Sequence, residues 1–338
     1  MDRMRLRWPV LVALLAAACA SVPLPRDGEP LPPLPPGLAD PGIRDLRGVY
    51  RAALCPRLQN SEDCGRTLHR FAGESAASPP PPADPSRFRL LFVPGFLATC
   101  FSGIDSFGDV VKAARAAGYE AQVLDAPGRG SIAANASSLA GQIADLPTDG
   151  RRLVLIGHSK GAADVLALVV DYPGIAERVA AVIGVAPALM GSPLADQLRG
   201  FYQLTLAANP LLRCPPGEGD ALDDLRLERR REWWARHGAE VHVPVYSLVT
   251  VPELDRLSLV LMLPYARLAT IAPYNDGQLI AGDQVAPNGR LLGIVNADHV
   301  TAAIPYSNRL PWALLFRAVD FPRPEAVLAA IDVAIAER

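Results

Sequence analysis

The chain has 338 residues, 50% hydrophobic and 20% charged, with a formal net charge of −2 at pH 7. This is the balance of a globular protein with a large core, and nothing in it is basic enough to bind nucleic acid. Proline is frequent, at 33 residues, and much of it falls in "VPLPRDGEPLPPLPPG" (22–37) and "SPPPPADP" (78–85), which read as extended spacers.

The first residues, "MDRMRLRWPVLVALLAAACA", set Arg3, Arg5 and Arg7 before an apolar run from Val10 to Ala18 and then Cys19. The run is too short to span a bilayer and reads as a secretory signal. Ala16, Ala17 and Ala18 before Cys19 resemble the lipobox of bacterial lipoproteins, which implies cleavage before Cys19 and acylation of that cysteine. A signal peptide cut nearby without lipidation is the alternative. The proline-rich stretch that follows suits a tether holding a domain off a membrane. Ala20 after the cysteine resembles lipoproteins sorted to an outer membrane.

Of the five cysteines, removal of Cys19 leaves Cys55, Cys64, Cys100 and Cys214, an even number that suits an oxidising compartment. Three connectivities are open. The short loop "CPRLQNSEDC" favours Cys55 with Cys64, leaving Cys100 for Cys214. No C-x-x-C spacing occurs, so no metal site is expected.

From residue 87 the chain alternates aliphatic runs with amphipathic stretches. Strands are expected at 89–95, 119–127, 152–158, 179–187, 241–250 and 290–298, and helices near 106–117, 135–145, 160–171, 254–268 and 323–336. Continuous apolar strands separated by helices predict a mostly parallel sheet covered on both faces. Residues 191–240 break the rhythm with two helical patterns and no good strand, and read as a helical cap over the site or else a longer crossover.

Within this pattern "LVLIGHSKGAADVL" (153–166) runs from a buried strand through Gly157-His158-Ser159-Lys160-Gly161 into a helix. The serine could merely cap the helix. The alternative is a nucleophile elbow, a sharp strand-turn-helix that exposes the hydroxyl at the carboxyl ends of the strands.

A serine nucleophile needs a base and a group that orients the base. Among the five histidines, His69 lies in the Cys-bearing segment, His158 adjoins Ser159 and should point away from it, His237 fits a helix end, and His242 sits in a strand pattern. His299 follows a late strand in "NADHVTAAIP" and is the candidate base. For the acid, Asp276 stands in the turn sequence Asn275-Asp276-Gly277, with Asp283 and Asp255 in reserve and Asp298 disfavoured beside His299.

The order of "VPGF", "GHSKG", "GSPLAD", "NDGQL" and "DHV" resembles the α/β-hydrolase lipases, particularly secreted bacterial triacylglycerol lipases, over roughly residues 88–305. The resemblance implies Ser159 as nucleophile, Asp276 as acid and His299 as base, with backbone amides of Phe96 and Lys160 forming an oxyanion hole. It departs from the family at Pro94, where a histidine usually precedes the glycine. The Lys160 side chain is expected in solvent, tolerated there at small cost, or else adding positive potential at the mouth.

The expectation is an α/β-hydrolase fold and a hydrolase of carboxylic esters, a lipase or esterase working through an acyl-enzyme. The substrate would be an acyl ester or lipid, the membrane would be reached through the lipid anchor, and no cofactor, metal or nucleic acid would be needed. An acyltransferase with the same triad, or a tethered binding protein without catalysis, are the alternatives. The expected organisation is a signal peptide over 1–18, a lipidated tether over 19–45, a Cys-bearing segment and linker over 46–85, and the hydrolase domain over 86–338 with its cap near 191–240. The aromatic residues of the cap, Phe201, Tyr202, Trp233 and Trp234, would pack it to the body or line an acyl groove.

Overall fold

The computed structural model describes residues 30–100, 105–197, 200, 214, 220–305 and 320–337. The expected signal peptide, Cys19, Phe201 and Tyr202 lie outside these residues. Seven strands form one sheet: β1 (Arg44–Asp45), β2 (Phe88–Val93), β3 (Glu120–Val123), β4 (Arg152–His158), β5 (Val179–Val185), β6 (Val245–Thr250) and β7 (Arg290–Val295). Their order is β1-β7-β6-β5-β4-β2-β3, and every pairing is parallel.

Strand side chains alternate between two faces, and both faces are buried. Leu90, Phe92, Val154, Ile156 and Ile183 join helices α1 (Arg47–Leu54), α3 (Gly108–Ala116) and α7 (Arg323–Ala336) on one side. Leu91, Val93, Leu153, Leu155 and Val182 join α4 (Ile132–Ala144) and α5 (Lys160–Asp171) on the other. The fold class expected from the alternation is thus present. The strands β3 and β6 are shorter than the apolar runs predicted, and the flanking apolar residues Leu124, Ala126 and Val243 are buried in the core all the same.

The expected spacer is corrected in its second half. Leu38 is 2% exposed and packs with Ala281, Val285 and Leu291, while the half-buried Leu34 packs with the same cluster, which also holds Phe71, Val251 and Tyr274. The chain then adds Arg44–Asp45 to the edge of β7. Segment 67–71 lies on the body as well: His69 donates its amide to the Ile294 carbonyl at 2.9 Å, and the Asn296 amide donates to Thr67 at 2.8 Å. A proline-rich sequence hides this packing, because it carries no periodicity that marks an apolar face.

The Cys55–Cys64 disulfide closes the turn between α1 and α2 (Ser61–Thr67), and Cys100 is bridged to Cys214. Both expected pairings are therefore present. Of the expected cap, α6 (Leu227–His237) rests on the body, where Arg230 Nε and Trp234 Nε1 both donate to the Leu189 carbonyl, at 3.0 and 2.9 Å. Trp234 is 9% exposed and packs with Val243, Val245 and Ala286, so it fastens α6 to the body.

Candidate active site

Ser159 follows the last residue of β4 and precedes the first of α5, at the carboxyl end of the sheet's interior. Its backbone is at φ 52°, ψ −123°, a conformation an L-residue holds only when its surroundings enforce it. The enforcement is visible on both sides of the serine. Its amide donates to the Val185 carbonyl at 3.2 Å, and its carbonyl accepts from Ala162 and Ala188, both at 3.1 Å. A methyl on Gly157 would lie 2.4 Å from Ala162 Cα, and one on Gly161 would lie 2.5 Å from the Val93 and Pro94 carbonyl oxygens. Both glycines of the motif are thus required by close backbone approach.

Three residues from distant parts of the chain converge here. Ser159 Oγ lies 2.8 Å from His299 Nε2, and His299 Nδ1 lies 2.8 Å from Asp276 Oδ2. Asp276 is fully buried, and nearly every lone pair has a donor. Its Oδ1 accepts from the amides of Gln278 and Leu279 at 2.9 and 2.7 Å, a turn made possible by Gly277 at φ +88°. Its Oδ2 accepts from Thr250 Oγ1 at 2.7 Å and from Gln284 Nε2 at 3.4 Å. Five donors around one carboxylate fix its orientation. The reserve acids are elsewhere: Asp255 is exposed, and burial pushes the carboxyl of Asp283 up to about 6 with its backbone carbonyl bound to Met190.

The loop carrying His299 is held by its own contacts. The His299 amide donates to the Asp276 carbonyl at 3.1 Å. Asp298, next in line and also fully buried, accepts from the Ser258 amide at 2.8 Å through Oδ2 and from the Thr301 amide and hydroxyl, each at 2.8 Å, through Oδ1. Burial raises its carboxyl above the usual carboxylate range. Sequence reasoning found neither Thr250 nor Gln284 nor this role of Asp298, and no motif marks them.

The two expected oxyanion donors adjoin the serine. The Lys160 amide opens α5, where no helical carbonyl is in position to accept from it. Phe96 follows Gly95, on which a methyl would lie 3.0 Å from Ser159 Cβ. Its half-buried ring packs against Ala188, Ala195, Leu222, Leu225 and Leu279, three of which fall within residues 191–240. The loop after Phe96 is tied down by Leu97, whose amide donates to Gly128 at 2.9 Å, and by Cys100 in its bridge to Cys214.

The expectation for the Lys160 side chain is overturned. It is 1% exposed, and its Nζ donates to Asp164 Oδ1 at 2.6 Å, while Asn135 Nδ2 on α4 donates to Asp164 Oδ2 at 2.8 Å. A cation at a helix start is costly alone, but here it neutralises a buried carboxylate that desolvation pushes upward. The acceptor lies one turn on in the same helix, and its second oxygen is held by Asn135 of another helix, a contact that a single-helix reading misses.

The arrangement is a hydroxyl, an imidazole and a buried carboxylate in hydrogen-bonded sequence, with main-chain amides beside the hydroxyl, which is equipment for attack on an acyl carbonyl. No family model matches the chain, and no curated protein matches it. Among solved structures it is similar to the metagenomic carboxyl esterase MGS0156, with a TM-score of 0.83 and 34% identity over 96% of this chain and 99% of that one. It is also similar to the mature Bacillus licheniformis lipase BlEst2, with a TM-score of 0.53 and 21% identity over 66% of this chain and 89% of that one, a likeness of fold. The chain belongs with the carboxyl esterases of the α/β-hydrolase fold and is a carboxylic ester hydrolase.

Proposed function

We propose that the ester is cleaved by Ser159, His299 and Asp276 through an acyl-enzyme, and that the protein is an exported lipoprotein acting on acyl esters. The observation that carries the mechanism is the unbroken path Ser159 Oγ, His299, Asp276, with 2.8 Å at each step. His299 Nε2 takes the hydroxyl proton as Oγ bonds to the acyl carbon, and Asp276 holds the imidazole by its Nδ1–H and stabilises the imidazolium. The carbonyl oxygen becomes an oxyanion facing the amides of Phe96 and Lys160. Collapse expels the alcohol, which receives the proton from His299. Water then repeats the sequence and releases the acid.

The acyl groups favoured are those of soluble, short-to-medium esters. The Cys100–Cys214 bridge supports this, since it fixes the loop behind Phe96 to the expected cap and limits how widely the cap can open to an oil surface. Acylation of Cys19 remains supported by the sequence around it. Labelling with a fluorophosphonate, lost in Ser159→Ala, and hydrolysis of p-nitrophenyl esters of rising chain length test the chemistry and its range. A sharp rise in rate as one ester passes its solubility would overturn the substrate range. Membrane fractionation of Cys19→Ser tests the anchor, with unchanged fractionation and intact processing as the opposing result.

A further inference from the structure

The residue before the nucleophile is not used in the mechanism above, yet it is 4% exposed and lies against the base. His158 is the last residue of β4, and its ring meets the His299 loop. Its ring stands 5.0 Å from the His299 ring and edge-on to Phe107 at 6.4 Å. Its Nε2 lies 2.7 Å from the backbone carbonyl oxygen of His299.

That carbonyl can only accept, so Nε2 carries a proton and donates. Nδ1 is buried and has no hydrogen-bond partner. Gly95 closes that side, since a methyl there would lie 3.0 Å from Nδ1. A ring so enclosed stays neutral, and burial pushes its pKa down to about 3, with the neighbouring His299 adding to the effect. The second nitrogen therefore carries no proton, and the ring has a single donor aimed at a single acceptor.

The main chain of the base is then gripped on both sides, by the Asp276 carbonyl on its amide and by His158 on its carbonyl. The first grip sets His299 relative to its acid. The second sets it relative to the nucleophile, because His158 and Ser159 are bonded neighbours. We propose that His158 is a positioning residue that fixes the distance between His299 and Ser159 through its Nε2–H hydrogen bond to the His299 carbonyl. The inference rests on the Ser-His-Asp reading, and its test separates the two.

His158→Phe keeps a planar ring and removes the donor, whereas His158→Gln keeps a donor near the Nε2 position. On a soluble p-nitrophenyl ester, His158→Phe is expected to lower kcat by about 10- to 100-fold with KM within about 3-fold, since a shift of about 1 Å in a reacting pair costs about that much. The rate of fluorophosphonate labelling should fall in parallel, and His158→Gln should recover most of both. Thermal unfolding of each variant shows whether it is folded; if the Phe variant is not, His158→Leu is the donor-free comparison. Wild-type kcat in the donor-free variant, a loss confined to KM, or equal losses in the donor-free and Gln variants would overturn the proposal. Wild-type protein that neither hydrolyses the ester nor takes the label would instead overturn the triad reading.

Discussion

The elbow around Ser159 and the paired loops that deliver Asp276 and His299 reach the same geometry by opposite means. In the elbow, one contiguous stretch is shaped by backbone contact, with Gly157 and Gly161 pressed onto Ala162 and the Val93–Pro94 carbonyls. In the loops, position comes from side-chain hydrogen bonds contributed by Thr250, Gln284, Asp298 and His158, none of which touches the Ser159 hydroxyl. Steric definition fails all at once, with the fold. Polar definition can be weakened in steps, and should show in rate before it shows in stability.

The largest effects lie where the two regions meet. Ser159→Ala and His299→Ala should each lower kcat by about 10⁶-fold, with thermal unfolding little changed, because the two act as a unit. Near-wild-type turnover in either would remove the mechanism. Asp276→Asn should cost about 10⁴-fold, less than either partner, and equivalent changes at Asp283 or Asp255 should leave kcat near wild type. A larger loss at one of those would reassign the acid.

Two milder substitutions sharpen the contrast. Thr250→Val removes one donor from Asp276 while nearly preserving volume, and should lower kcat by about 3- to 10-fold through roughly 1 kcal/mol of lost hydrogen bonding to the carboxylate. Gly161→Ala should instead lower stability by about 1–3 kcal/mol in denaturant titration, because its methyl meets carbonyl oxygens at 2.5 Å that belong to the backbone. If Thr250→Val reduced stability more than rate, or Gly161→Ala the reverse, the distinction between the regions would be lost.

The smallest effect is on pH. His69 holds the exit of β6 through Nε2 to the Val251 carbonyl at 2.7 Å, and burial pushes its pKa down to about 4. The folded protein keeps it neutral, whereas the unfolded chain binds a proton from about 6.5 downward. Its contribution is therefore full above pH 6.5 and is lost on acidification toward 4, at up to about 1.4 kcal/mol per pH unit. Asp283, raised to about 6, partly offsets this, since the folded state takes up its proton first. Urea midpoints at pH 7 and pH 5 should show a fall for wild type and a smaller one for His69→Gln.

The same contrast explains what the sequence disclosed. Ser159 was legible because its determinants are contiguous: an apolar strand, two glycines and a helix. Asp276 was legible for a related reason, as its turn is written in Asn275, Asp276 and Gly277, and His299 followed from its place after a late strand. The supports were not legible. Thr250 ends a strand and Gln284 sits in a short turn, and either would look the same in a solvent-facing role. Lys160 was misplaced because the burial of the pair it makes with Asp164 comes from packing between helices, where Asn135 holds the second oxygen of Asp164. The packing of residues 34–45 was missed because proline spacing looks alike whether the segment is free or laid in a groove.

That laid-down segment has a geometric consequence. Leu34 shares its cluster with Val251, just past the end of β6, and with Tyr274, two residues before Asp276. From there the chain runs back to enter β1 opposite the first residue of β7. The Pro32 carbonyl accepts from the Ala72 amide at 2.8 Å, next to Phe71, whose ring meets Tyr274 edge-on at 5.7 Å. Cys19 and Pro30 are eleven positions apart, a leash of at most about 40 Å when fully drawn. The proposed acyl chain on Cys19 would thus hold the hydrolase within that distance of a membrane, where it meets soluble esters passing the surface.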